Sequence, residues 1–142
     1  MSERILKTGI RTLLVALVFV TGGANAMDRV VVIGHEGLTS LDAATLEKIY
    51  TGKVIEVNGI PVTAINANSG SAVRNRFLHT LLKQDEDRYT AYWTVRRYIG
   101  KGAPPRELSS SVDVINFVKS TPGAIGYVDE AEVPPGANVL LK

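Results

Sequence analysis

Cysteine is absent from the 142 residues. That excludes disulfide staples, thiolate metal sites, cysteine nucleophiles and haem attachment through cysteine, and it leaves stability to the core alone. It also excludes a lipid-modified cysteine, so no lipid of that kind tethers an exported copy, and a periplasm enclosed by an outer membrane is the favoured compartment. Long apolar runs are missing too. The stretch Thr12 to Val20 is far below the roughly 20 residues that span a bilayer. Histidine occurs twice, as His35 and His79, far apart and without the Asp/Glu spacing of a metal site. No phosphate-cradling lysine loop and no dinucleotide fingerprint follows the first expected strand.

What the N-terminus does contain is a secretory pattern. Arg4, Lys7 and Arg11 precede the apolar stretch, and Ala24-Asn25-Ala26 closes it with small residues. Residues 1–26 are therefore expected to be a cleavable signal peptide, cut after Ala26, rather than a retained anchor. Removing 26 of 142 residues leaves 116, a length suited to one domain over 27–142. The removed segment carries those three cations against Glu3. Lys+Arg thus falls from 16 to 13 and Asp+Glu from 14 to 13. The mature charge is near zero, which removes the electrostatic case for nucleic acid.

The remainder interleaves strand and helix patterns. Arg29 to Ile33 is a β-branched run ended by Gly34, short enough for a buried strand. Leu41, Thr45, Leu46 and Ile49 then share a helical face, with Ser40 as the expected cap and Gly52 as the stop. Residues 54–57 and 60–65 flank Asn58-Gly59, a hairpin signal, with Pro61 placing the second arm near an edge. Val73, Phe77 and Leu81, with Leu78 and Leu82, predict a helix after the loop 66–70.

Asp85 to Asp87 and Arg96-Arg97 suit the two ends of a helix over 86–99, whose Tyr89, Trp93 and Ile99 are expected to face the core. Residues 102–107, with Pro104-Pro105, read as an extended loop. Ser110 and Asp113 form a capping pattern for a helix carrying Val114, Phe117 and Val118, and Thr121-Pro122-Gly123 ends it. Strands are expected at 124–128 and 139–141. The class is α/β, a mixed β-sheet flanked by helices.

The stretch Ala67 to Arg74 holds the most chemistry, because a strand ends before it and a helix begins within it. The first amides of a helix lack intrahelical partners, and the helix dipole adds partial positive charge there. Gly70 lets backbone approach a ligand, Ser69 and Ser71 offer hydroxyls, and Arg74 supplies a guanidinium. The same Ser-Gly-Ser is also what an ordinary N-cap looks like. No His or Lys base stands at a recognisable spacing from either serine, so catalytic residues are not expected and the chain reads as a non-enzyme. Asp85 to Asp87 fit helix capping better than paired catalytic carboxylates. Arg96, Arg97, Lys101 and Arg106 make a local basic group that either extends an anion site or solvates a helix end.

Three motifs in order resemble the phosphate-binding protein of phosphate ABC transporters. They are Leu46-Glu47-Lys48-Ile49-Tyr50-Thr51-Gly52-Lys53, Ser69-Gly70-Ser71 before a helix, and Pro122-Gly123-Ala124-Ile125-Gly126-Tyr127-Val128. The resemblance runs over roughly 38–141 and matches a single lobe of a two-lobed protein. It implies one lobe of a type II periplasmic binding protein fold, with phosphate or a similar oxyanion held by Ser69, Gly70 and Ser71. The family's loop arginine and aspartate fall near Ile65 and Ala67 here and are absent, so Arg74 would have to supply the positive charge. The partners implied are a transporter permease, a sensor or an outer-membrane protein, with a homodimer as another way to close a half-open site. A second expectation follows from the missing charges: an interaction or sensory module that kept the lobe and lost solute binding. Neither reading needs a cofactor or a metal.

Overall fold

The computed structural model describes residues 29–142; the expected signal peptide and its cut after Ala26 lie outside the described residues. Strand β1 (Val30–Gly34) is buried along its whole length, because it lies in the sheet interior with helices on both faces. Its side chains alternate accordingly. Val30 and Val32 enter one hydrophobic cluster, and Val31 and Ile33 enter another on the opposite face.

Helix α1 (Ala43–Tyr50) starts two residues later than Ser40 implied. Its cap is Asp42, whose carboxylate accepts the Thr45 amide at 2.6 Å, while Leu41 is still tied to the Leu140 carbonyl. The Asn58-Gly59 turn forms as expected, with φ of 49° and 79°, but its ladder is only β2 (Glu56–Val57) on β3 (Ile60–Pro61). The expected arm 60–65 is thus two strands. Beyond Val62 the chain leaves the hairpin and enters the main sheet as β4 (Thr63–Ala67).

Helix α2 (Ala72–Phe77) runs on into a π-helical turn (Leu78–Leu82), closed by Lys83 at φ 55°. Helix α3 (Glu86–Tyr98) is capped by Asp85. Tyr89 and Trp93 face the core as expected, but Ile99 does not. It follows the last helical residue, so helical periodicity no longer aims it, and it is exposed. The expected loop 102–107 ends in a further strand, β5 (Arg106–Leu108), at the sheet edge. Helix α4 (Ser111–Ser120) is capped by Ser110 as the pattern predicts, and β6 (Ala124–Asp129) and β7 (Asn138–Leu141) complete the sheet.

The sheet order is β5-β4-β6-β1-β7, parallel from β5 to β6 and antiparallel from β6 to β7. Helices α1, α2 and α3 cover one face, and α4 covers the other. Two glycines, one within β6 and one just before it, are needed for close approaches. A Cβ on Gly126 would sit 2.6 Å from Val114 Cγ1, so α4 packs directly on the strand backbone. At Gly123, φ is +77° and a Cβ would meet the Pro61 carbonyl oxygen at 2.0 Å.

Candidate functional site

The loop 68–71 is held from beneath by a buried polar network. Tyr127 donates its hydroxyl to Asn66 Oδ1 at 2.9 Å and accepts the Ala67 amide at 3.0 Å. Asn66 Nδ2 donates to the Tyr89 hydroxyl, which in turn donates to the Tyr50 carbonyl at 2.9 Å, where Trp93 Nε1 also donates. Tyr50 donates to the Ile65 carbonyl at 2.8 Å. Burial pushes the Tyr50, Tyr89 and Tyr127 hydroxyls up from their ordinary values, so all three stay neutral donors. The Phe77 ring stacks on Tyr127 at 3.8 Å and locks its direction. Tyr50 and Tyr127 belong to the first and third of the sequence motifs. Both act on β4, the strand that delivers the second.

Above that base, Ser69, Gly70, Ser71 and Arg74 are adjacent, but they do not converge on one vacant seat. The Ser69 hydroxyl donates to Glu86 Oε1 at 2.6 Å. Arg74 is only 4% exposed and grips the same carboxylate with two parallel bonds, Nε to Oε2 at 2.8 Å and Nη2 to Oε1 at 2.7 Å. Its Nη1 donates to Glu107 Oε1 at 2.5 Å and to the Ala67 carbonyl at 3.1 Å. Four of the five guanidinium N–H groups are thereby used within the protein. The Ser71 hydroxyl caps α2 by accepting the Arg74 amide. It opens not beside Ser69 but onto a separate hollow of about 60 Å³ next to Ser109 to Ser111. Gly70 has φ of +80° with open space beside it and borders neither hollow.

Burial acts against the charges of both partners, and the pair overcomes it. Burial pulls the Arg74 guanidinium down, but hydrogen bonds and charge from Glu86, with Glu107, leave it raised. Burial pushes the Glu86 carboxyl up, while hydrogen bonds from Ser69 and Arg74 and the Arg74 charge bring it below 4.5. Glu86 is therefore ionised at neutral pH. Chemically, a carboxylate from α3 already receives two of the donors that the loop offers an anion, the Ser69 hydroxyl and the Arg74 guanidinium.

No local sequence pattern marks Glu86 or Glu107 as a site residue. Glu86 read as helix-start charge, and Glu107 lies 33 positions from Arg74. The only sequence signal was an unpaired arginine next to Ser-Gly-Ser, which calls for an acid somewhere. The basic group is also dispersed. Arg96 lies over the Tyr92 and Trp93 rings, Arg106 lies over Phe117, and Arg97 borders a cavity. His79 is exposed on the π turn, and His35 Nδ1 lies 2.9 Å from the Glu36 carbonyl oxygen. Among the described residues, no group of three His, Cys, Asp or Glu side chains is placed to hold a metal ion, and no helix is long and apolar enough to cross a membrane.

No family model and no curated protein matches the sequence. Solved structures do. The chain superposes on an ABC-type phosphate transport receptor from Vibrio cholerae with a TM-score of 0.55 at 13% identity, covering 78% of this chain and 44% of the receptor. PstS from Borrelia burgdorferi gives 0.55 at 22% identity, covering 79% and 46%. A Clostridium perfringens protein assigned as a phosphate ABC transporter substrate-binding protein, solved with bound phosphate, gives 0.54 at 19%, covering 78% and 43%. The chain spans less than half the length of each. The likeness shows the fold, a mixed-sheet α/β lobe shared with part of these binding proteins, in agreement with the fold that the three motifs implied.

Proposed function

We propose that this chain is an exported, non-enzymatic recognition module, a binding-protein lobe that meets a partner protein instead of capturing free phosphate. The observation that carries this reading is the Glu86 carboxylate held by Ser69 and Arg74. A free oxyanion reaching Arg74 has to displace a bidentate, charge-assisted pair whose cation is buried. It would then sit beside Glu86 and Glu107, two like charges. The partner is a sensor, an outer-membrane protein or a permease in the periplasm, reached after removal of residues 1–26.

The second reading keeps the anion. Ser69, Gly70, Ser71 and Arg74 would bind phosphate or a related oxyanion after Glu86 swings away, and a second copy of the chain or another protein would close the open side. The shared fold with phosphate receptors favours it.

Calorimetry with phosphate and sulfate separates the two readings. The recognition module gives no saturable heat up to about 1 mM ligand, a threshold of about 4 kcal/mol of binding. Saturable phosphate binding tighter than that, weakened by Ser69→Ala, replaces the first reading by the second.

A further inference from the structure

A cavity of about 530 Å³ lies beside the loop and is lined by one stripe of α3: Thr90, Trp93, Thr94, Arg97 and Tyr98. These positions follow the helical repeat of three and four, so they share one face. Pro104 and Pro105, leading into β5, line it as well. The volume is that of a small-molecule site, and the walls are mostly apolar. Tyr98 stands at its rim, a large aromatic 91% exposed.

The walls have few hydrogen bonds to give. The Ser69 and Thr90 hydroxyls donate to Glu86, and the Thr94 hydroxyl donates to the Thr90 carbonyl. Trp93 Nε1 and the Tyr89 hydroxyl are spent on the Tyr50 carbonyl, and Arg74 is spent on Glu86 and on Glu107, whose carboxylate also lines the cavity and is neutralised by that pair. Arg97 differs. Its guanidinium makes no hydrogen bond or ion pair among the described residues, and it lies at the C-terminal end of α3. A ligand that fits must therefore have an apolar, ring-sized body and one negative group of planar geometry. A guanidinium fork suits a carboxylate of that kind. Inorganic phosphate, with several charges and a tight hydration shell, does not suit apolar walls.

We infer that this cavity is a binding site for a small ring-bearing monocarboxylate, its ring between Trp93, Tyr98 and Pro104-Pro105 and its carboxylate on Arg97. The site goes beyond the recognition reading and does not require Glu86 to leave Arg74. Failure at Arg97 leaves the phosphate result at Arg74 standing, and the reverse also holds.

Trp93 is the single tryptophan of the chain, so its emission reports on the cavity wall directly. The test titrates the protein with phenylacetate, 3-phenylpropionate and cyclohexanecarboxylate, each against its neutral amide, following Trp93 emission and the NMR resonance of its indole N–H. At least one acid is expected to saturate with a Kd below about 1 mM. Its amide, and the acid against Arg97→Ala, are expected to bind about tenfold or more weakly, a difference of about 1.4 kcal/mol. Three results each overturn the inference: no saturation by any acid in either readout up to about 10 mM, equal binding of acid and amide, or an unchanged Kd in Arg97→Ala.

Discussion

Arg74 and Arg97 border the same cavity and carry the same charge, yet they sit in opposite states. Arg74 is buried, engaged through four of its five N–H groups and neutralised by Glu86 and Glu107; Arg97 is exposed and engaged by nothing in the described chain. A cation at a helix start is thus no evidence of a vacant anion seat. What matters is whether the fold has already delivered an acid to it. In a buried place it must, because an unpaired charge there costs several kcal/mol. Exposure removes that requirement at Arg97.

The comparison can be broken most forcefully at Arg74. Replacing it by alanine strands Glu86, at 23% side-chain exposure, against Glu107 and empties the space beneath them. Arg74→Ala is expected to destabilise by about 3 kcal/mol, at the lower end for a broken buried pair because both acids keep some water. Urea unfolding reads this. A loss under about 1 kcal/mol would show that the pair is not structural.

Glu86→Gln sharpens the contrast by making Arg74 resemble Arg97. The amide keeps part of the hydrogen bonding and loses the charge, so a loss of about 1–2 kcal/mol is expected at neutral pH. Because the folded carboxyl titrates below its usual 4.5, its stabilisation is complete above that value and is lost as pH falls through the lower folded value. The acid-side decline of stability should therefore be shallower in Glu86→Gln than in the wild type. If the emptied seat is an anion site, the variant also gains phosphate heat that the wild type lacks. Equal acid limbs for the two proteins would contradict the pairing.

The smallest effect is expected at Arg97. Arg97→Ala should change stability by no more than about 0.5 kcal/mol, since no partner is lost. A larger loss, measured by the same unfolding, would mean that Arg97 has a structural contact and is no free cation.

Much of the architecture was legible because it rests on short-range rules. The capping of α4 by Ser110, the Asn58-Gly59 turn and the two-sided burial of β1 follow from residue types within a few positions. The misread parts depended on distant neighbours. Strand β5 is three residues behind two prolines, and it exists because β4 pairs with it. The arm 60–65 divides because its second half finds β6 instead of the hairpin. In the site, the adjacency of Ser69 and Arg74 could be read along the chain, whereas the acids that occupy them come from 12 and 33 positions beyond Arg74.

By itself, then, the amino-acid sequence determined the class of fold, the helix and turn signals and the place where loop 68–71 meets α2, since these are set by local periodicity, capping and turn geometry. Only the tertiary structure decided which charges are spent and which remain free. Salt bridges and cavities form between segments brought together by burial of a common core, and no local pattern records where a carboxylate on one helix will meet a guanidinium on another.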